Sequence, residues 1–418
     1  MDVSRRHWLK GAAAGAAGTA LTGGMLIEGA RVDSAAAATT AAPEAPSRVA
    51  FHGTYQAGIT RPTPAQKFST QVALDVTATS PAELRDLFQT LTTRARFLTT
   101  GGTPPDLGVG QPPSDSDVLG PDIPSDGLTL TVSVGASLFD DRFGLADRKP
   151  KKLKKMREFP NDDLDPSWRH GDLLVQICAN HTDAVHHALR DISKHTRGGM
   201  QARWKIDGFG SPPRPSGTPR NLLGFKDGIS QPTAAEVAEL NWVLSSSGEP
   251  SWAVNGSYHV VRLISMFVEF WDRVSINEQQ NMFGRFRDSG ATLDSTTGNE
   301  YQPPNYAADP QGNTIPLDSH MRLANPRTKA TADQRILRRP YNYDLGYDSN
   351  GNLQCGLIFV CFQQDVERQF ETVQLRLVDE PLADYIQPYG GGYYFALPGV
   401  SDSSDWYGRG LLSLGERR

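Results

Sequence analysis

Cysteine is nearly missing from this chain: Cys178, Cys355 and Cys361 are the only three in 418 residues. A disulfide framework is thereby excluded. An extended Cys355-Gly356-Leu357-Ile358-Phe359-Val360-Cys361 would put two thiols on one strand face but about 20 Å apart, well beyond disulfide reach. Positive charge is not in excess either. The formal net charge is −5, which gives no basic footprint for nucleic acid. The sequence holds no G-x-S-x-G elbow and no phosphate-binding P-loop. Histidine clusters once, at His181, His186 and His187, and no two of these fall at i and i+4 on one helical face, which argues against a zinc site.

A long uninterrupted apolar run is also absent, and this decides how the N-terminus is read. Ser4-Arg5-Arg6-His7-Trp8-Leu9-Lys10 precedes an Ala/Gly-rich stretch to about Ile27, broken by five glycines between Gly11 and Gly24, and then Ala35-Ala36-Ala37-Ala38. That is too broken for a membrane anchor and has the form of a twin-arginine export signal with a linker over residues 1–45. The expected partner is the twin-arginine export machinery, and the expected destination is periplasmic or extracellular after cleavage. The route carries folded proteins with cofactors already inserted, so it favours a redox or metal cofactor.

The remaining residues are enough for two domains. Phe68 to Thr77 alternates as a strand, and Ser80-Pro81-Ala82-Glu83 then opens a helix with a capping box. Leu128–Val134 and Leu173–Asn180 read as strands, the latter followed by a helix through Val185, Leu189 and Ile192. The second half repeats the plan, with a long strand over Val260–Phe270 and a strand and helix over 357–370. The expected class is α+β, built from two related halves, 46–220 and 221–418, with the boundary in the proline-rich Pro212–Pro219. The polar stretch Gly284–Pro316 is too long for an idle connector and is expected to border a site.

Three segments carry the chemistry. Asn221-Leu222-Leu223-Gly224-Phe225-Lys226-Asp227-Gly228-Ile229-Ser230-Gln231-Pro232 holds one carboxylate in a glycine-flanked turn. Asp318 to Arg327 contains His320, and Arg335 to Tyr343 contains Arg338, about one and a half dozen residues beyond that histidine. Together they resemble the dye-decolourising peroxidase family, in its twin-arginine-exported, deferrochelatase/peroxidase-like branch. Phe51-His52-Gly53, Gln56-Ala57-Gly58-Ile59, Trp271-Asp272-Arg273 and Gly390 to Gly399 also look like family sequence, so the resemblance covers almost everything after the first four dozen residues.

The resemblance implies two ferredoxin-like halves, antiparallel sheets with helices, and one haem per chain in the C-terminal half. No C-x-x-C-H attachment sequence exists, so the haem is b-type. His320 matches the axial ligand. Glu380 is its carboxylate partner by alignment with the family, with Asp384 second. Asp227 suits proton transfer on peroxide, and Arg338, preferred to Arg339 on motif spacing, suits stabilisation of the departing oxygen. Gly228, Ile229 and Ser230 with Asn325, Pro326 and Arg327 are implied to line the haem. Trp252, Trp406, Tyr343 and Tyr389 are candidate electron relays from bulky donors.

Two functions remain. One is a peroxidase that reduces hydrogen peroxide through a ferryl intermediate and oxidises dyes, phenols or similar organic donors. The other is an exported haem-handling or iron-release protein in iron acquisition. The Asp227 and Arg338 pair favours the enzyme. A homo-oligomer is left open as the assembly.

Overall fold

The computed structural model of the chain describes residues 48–60 and 65–413. The expected export signal lies outside these. Alternation sets the first strands: in β1 (Phe68–Val76), Val72, Leu74 and Val76 pack on a helical layer while Ala73 faces the other way. β2 (Thr129–Gly135) and β3 (Leu173–Ala179) follow the same rule, with Leu130, Val132 and Val175 on the helical side. That layer is α1 (Pro81–Thr100) and α2 (Thr182–His195). Ser80 caps α1 by accepting from the Glu83 amide, but Glu83 reaches back to Thr79, one residue earlier than a capping box requires.

β4 (Met200–Phe209) completes the first run of strands, in the order β2-β3-β1-β4. The later strands are β5 (Ser257–Met266), β6 (Leu337–Arg338), β7 (Tyr341–Tyr347), β8 (Leu353–Gln363) and β9 (Ile386–Ala396). They pair as β7-β8-β5-β9, and β4–β7 and β2–β9 contacts close eight strands into an antiparallel barrel. β6 continues β7 along the same edge of β8, interrupted by Arg339 and Pro340. β9 lies close to β5 through its glycines. Gly391 has φ +110°, and a Cβ there would run into the Val261 carbonyl.

The α+β class holds, with a further difference from expectation. The strand at Val260 ends at Met266 rather than Phe270, and Val268–Trp271 forms a helical turn instead. The Phe267 amide is taken by the Tyr385 carbonyl at 2.9 Å, and the Trp271 indole N–H donates to the Leu223 carbonyl at 3.0 Å, which bends the chain away from the sheet. Residues 212–219 and 284–316 contain neither helix nor strand. The three cysteines are free and buried.

The barrel has two kinds of surface. Val261, Leu263, Ile358, Val360 and Tyr394 point inward with Ala73, Leu174 and Ile206. Outward, α1 and α2 cover the first strands. The outer face of β5, β8 and β9 instead contributes Arg262, Ile264, Met266, Leu357, Phe359 and Ile386 to the wall of a cavity.

Candidate active site

The segment 221–232 builds one wall. Asn221 holds it as a turn, its side-chain oxygen accepting from the Leu223 and Phe225 amides at 3.1 and 3.2 Å. Phe225 stacks on Phe283 with ring centroids 4.0 Å apart, and the Lys226 ammonium is held in a buried ion pair with Glu300. Asp227 is left to face the cavity. Gly228, at φ +108°, turns the chain immediately after it.

Arg338 reaches the same wall from β6. Its Nη1 donates to Asp227 Oδ1 at 2.6 Å. Strand alternation sends the next residue the opposite way: Arg339 is buried in the barrel, donating to the Gly58 carbonyl and Gln66.

His320 opens the short helix His320–Ala324 on another wall. Arg322 ties this helix to the 305–316 segment by donating to the carbonyls of Asp309 and Ile315, each at 2.8 Å. Arg376 holds the other end through the Leu323 carbonyl at 2.8 Å. His320 Nδ1 lies 2.7 Å from Glu380 Oε2. Burial would push the imidazole down, but the Glu380 carboxylate outweighs it and holds the pKa above the ordinary histidine value. With Nδ1–H donating to Glu380, Nε2 keeps a free lone pair, and 34 % of the side chain remains open on the cavity side.

The rest of the lining is mainly apolar, with a few neutral polar side chains, among them Asn161, Thr331, Gln334 and Gln374, and a group of cations. Arg285 is buried, and its Nη1 donates only to backbone carbonyls, Gly290 at 2.6 Å and Glu300 at 3.2 Å. Burial pushes it down to about 10, and the nearby Arg327 and Arg338 charges act in the same direction. Among the described residues neither Arg285 nor Arg327 has a carboxylate partner, an arrangement that suits an anionic ligand. These walls fit haem: apolar faces for the macrocycle, unpaired guanidiniums for its carboxylates and an imidazole nitrogen for its iron.

The cavity brings together Asp227, Gly228, Ile229, Ser230, His320, Asn325, Arg327, Arg338 and Glu380. Pro326 and Asp384 do not line it. Trp252 is packed in the core, its indole N–H on the Arg148 carbonyl, and Trp406 lies against the same core. Tyr343 and Tyr389 belong to the barrel interior, with ring centroids 6.4 Å apart. None of these four aromatics touches the cavity. Sequence reasoning missed Arg285 and Gln231. The first sits in the polar stretch already marked as a border, and the second lies inside the Asp227 segment.

Fold and cavity together define a haem-dependent peroxidase, and comparison with known proteins narrows the class. The pattern for "Dyp-type peroxidase, N-terminal" matches residues 56–210, and that for "Dyp-type peroxidase, C-terminal" matches residues 218–401. The chain belongs to the Dyp-type peroxidase family. It is 49 % identical over 421 residues to the deferrochelatase of Escherichia coli O6:K15:H31 (strain 536 / UPEC), covering 99 % of this chain and 98 % of that one. The deferrochelatase of Yersinia pestis bv. Antiqua (strain Nepal516) is 50 % identical over 369 residues, covering 87 % and 84 %. Among solved structures, the DyP-type peroxidase from Cellulomonas bogoriensis gives a TM-score of 0.79 at 32 % identity, covering 88 % of this chain and 99 % of that one. Ferric DtpA from Streptomyces lividans gives 0.78 at 31 % identity, covering 88 % and 97 %.

Proposed function

We propose that this cavity holds one b-type haem through His320 and reduces hydrogen peroxide beside Asp227 and Arg338, at the expense of an organic electron donor. The observation that carries this is one cavity with a carboxylate-backed imidazole on one wall and a carboxylate–guanidinium pair on another. Bound there, haem supplies the iron at which the peroxide O–O bond is cleaved and the oxidising equivalents that the donor removes.

The protein's own groups do the rest. Glu380 accepts from His320 Nδ1–H, which orients the ring and raises the basicity of Nε2. Asp227 uses one oxygen on Arg338 and has the other free to take the proton from the inner peroxide oxygen and return it to the outer one. Arg338 places fixed positive charge where the departing oxygen becomes negative. Arg285, Arg327 and the Asn325 amide hold the haem carboxylates, and Gly228, Ile229 and Ser230 pack against its edge. Mixing the purified, haem-loaded protein with peroxide and a dye tests this. Bleaching no faster than with free haem would overturn it.

The second reading, haem-iron release, is supported by the name of the deferrochelatase relatives. It is separated from the first by its product, iron-free porphyrin, which fluoresces. Asp227 and Arg338 favour the peroxidase, since passive haem carriage needs neither.

Three wider features belong to the same proposal. The Arg5-Arg6 segment directs the chain through the twin-arginine machinery to a periplasmic or extracellular location. The strand orders β2-β3-β1-β4 and β7-β8-β5-β9 repeat one pattern, which supports two ferredoxin-like halves over 46–220 and 221–418. Trp252, Trp406, Tyr343 and Tyr389 remain relay candidates for donors too large to enter.

A further inference from the structure

Asp227 and Arg338 are 111 residues apart in sequence, and their side chains keep 16 % and 22 % of their surface exposed. A partly exposed ion pair holds a long arginine loosely. The backbone of Arg338 is fixed by something else. Arg338 stands opposite Cys361 on β8, and the next residue makes the ladder bond, Arg339 N–H to the Val360 carbonyl at 2.7 Å. In an antiparallel pair this turns the N–H and C=O of Arg338 away from β8, toward an edge where no strand lies beside β6.

Both groups are taken by one side chain. The Arg338 amide donates to Gln231 Oε1 at 3.0 Å, and Gln231 Nε2 donates to the Arg338 carbonyl at 2.8 Å. The carboxamide thus does what a neighbouring strand would do. Gln231 lies four residues after Asp227, so the segment that carries the carboxylate also grips the backbone that carries the guanidinium. Gln231 is itself held: Arg335 Nη2 donates to its carbonyl at 2.6 Å, and the same guanidinium pairs with Glu236, in the capping box of the helix Ala234–Leu240.

We propose that Gln231 is a positioning residue for peroxide cleavage, locking the Arg338 backbone in register with Asp227 through both edges of its carboxamide. This rests on the proposed roles of Asp227 and Arg338. A residue that merely braced the fold would change stability without changing the peroxide step. One that positions Arg338 changes the peroxide step while haem stays bound.

The test uses haem-loaded Gln231→Leu, of similar volume, and Gln231→Glu. An ionised Glu accepts from the Arg338 amide but cannot donate to its carbonyl, whereas a protonated Glu does both. In Gln231→Leu, kcat/KM for peroxide should fall on the order of 10- to 100-fold, with the donor KM and the Soret band unchanged. Cyanide association with the ferric protein should slow in parallel. Gln231→Glu should fall below wild type at neutral pH and climb toward it below about pH 5, each value taken relative to wild type at the same pH; if Gln231→Leu fails to fold, this profile alone decides. Wild-type peroxide and cyanide kinetics in Gln231→Leu, or a flat Gln231→Glu ratio, would overturn the proposal. Hydrogen exchange across residues 335–340 separates it from the underlying reading. Should Arg338→Leu itself prove normal with peroxide, the site assignment fails, while faster exchange in Gln231→Leu still shows the backbone grip and unchanged exchange rejects it.

Discussion

The two nitrogens of His320 have separate environments, and that division makes the residue testable. Nδ1 faces Glu380 at 2.7 Å, while Nε2 is the ring nitrogen offered to the cavity. His320→Ala leaves the cavity its cations but removes the imidazole nitrogen that would hold haem iron. The purified variant should lose its Soret band or release haem readily to a competing haem acceptor; a wild-type spectrum would remove His320 from the site. Arg338 and Asp227 should not weigh equally. Water can carry a proton in place of a carboxylate, but no mobile group replaces a fixed charge at the breaking bond, whose loss costs about 100- to 1,000-fold. Rapid mixing with peroxide should show Arg338→Leu slower than Asp227→Asn, and the reverse order would sink the division of roles. Asp227, His320 and Arg338 were legible in sequence because each sits in a short, distinctive segment. Gln231 and Arg285 were not, because their partners are backbone groups 107 and 15 residues away, and a carbonyl leaves no mark on a residue pattern.

Strands whose sequence alternates, such as β1, were easy to find, and a long, mostly apolar one such as β5 was harder to delimit. Val260–Phe270 is apolar nearly throughout, since β5 packs inward on the barrel and outward on the cavity, so tertiary bonds, from Phe267 to Tyr385 and from Trp271 to Leu223, mark its end. The same burial gives β5 an acid sensitivity. His259 points into the barrel, stacked 4.3 Å from Phe362, with Ser133 Oγ 2.9 Å from Nδ1. Burial, then the charge of Arg339, pushes its pKa down to about 3. The folded protein therefore keeps it neutral while the unfolded chain takes up a proton below about pH 6.5. Stability is fully present above that value and falls by up to about 1.4 kcal/mol per pH unit below it, until the folded pKa is reached. Urea unfolding of wild type and His259→Gln between pH 4.5 and 7 should give a shallower slope for the variant, by one proton. Parallel curves would mean that His259 is not neutral in the folded state.

On the scale of the whole molecule, closure of the barrel makes the two halves depend on each other. The interior is filled from both: Ala73, Leu174 and Ile206 from β1, β3 and β4 meet Val261, Ile358 and Tyr394 from β5, β8 and β9. The seams are short, with three residue pairs between β2 and β9 and one between β4 and β7. Backbone pairing at the seams is therefore a minor contribution, and the shared apolar interior is the major one. Arg339 adds a polar link, since its guanidinium is received by Gly58 and Gln66 from the other half. Either half alone would expose its inward face and two open strand edges, a surface that aggregates rather than folds. The haem-loaded protein should accordingly unfold in a single calorimetric transition whose calorimetric and van't Hoff enthalpies agree. Residues 46–220 expressed alone should be insoluble or lack native-like near-ultraviolet dichroism. Two resolved transitions, or a soluble and structured N-terminal half, would show that the halves are autonomous domains joined only at their edges.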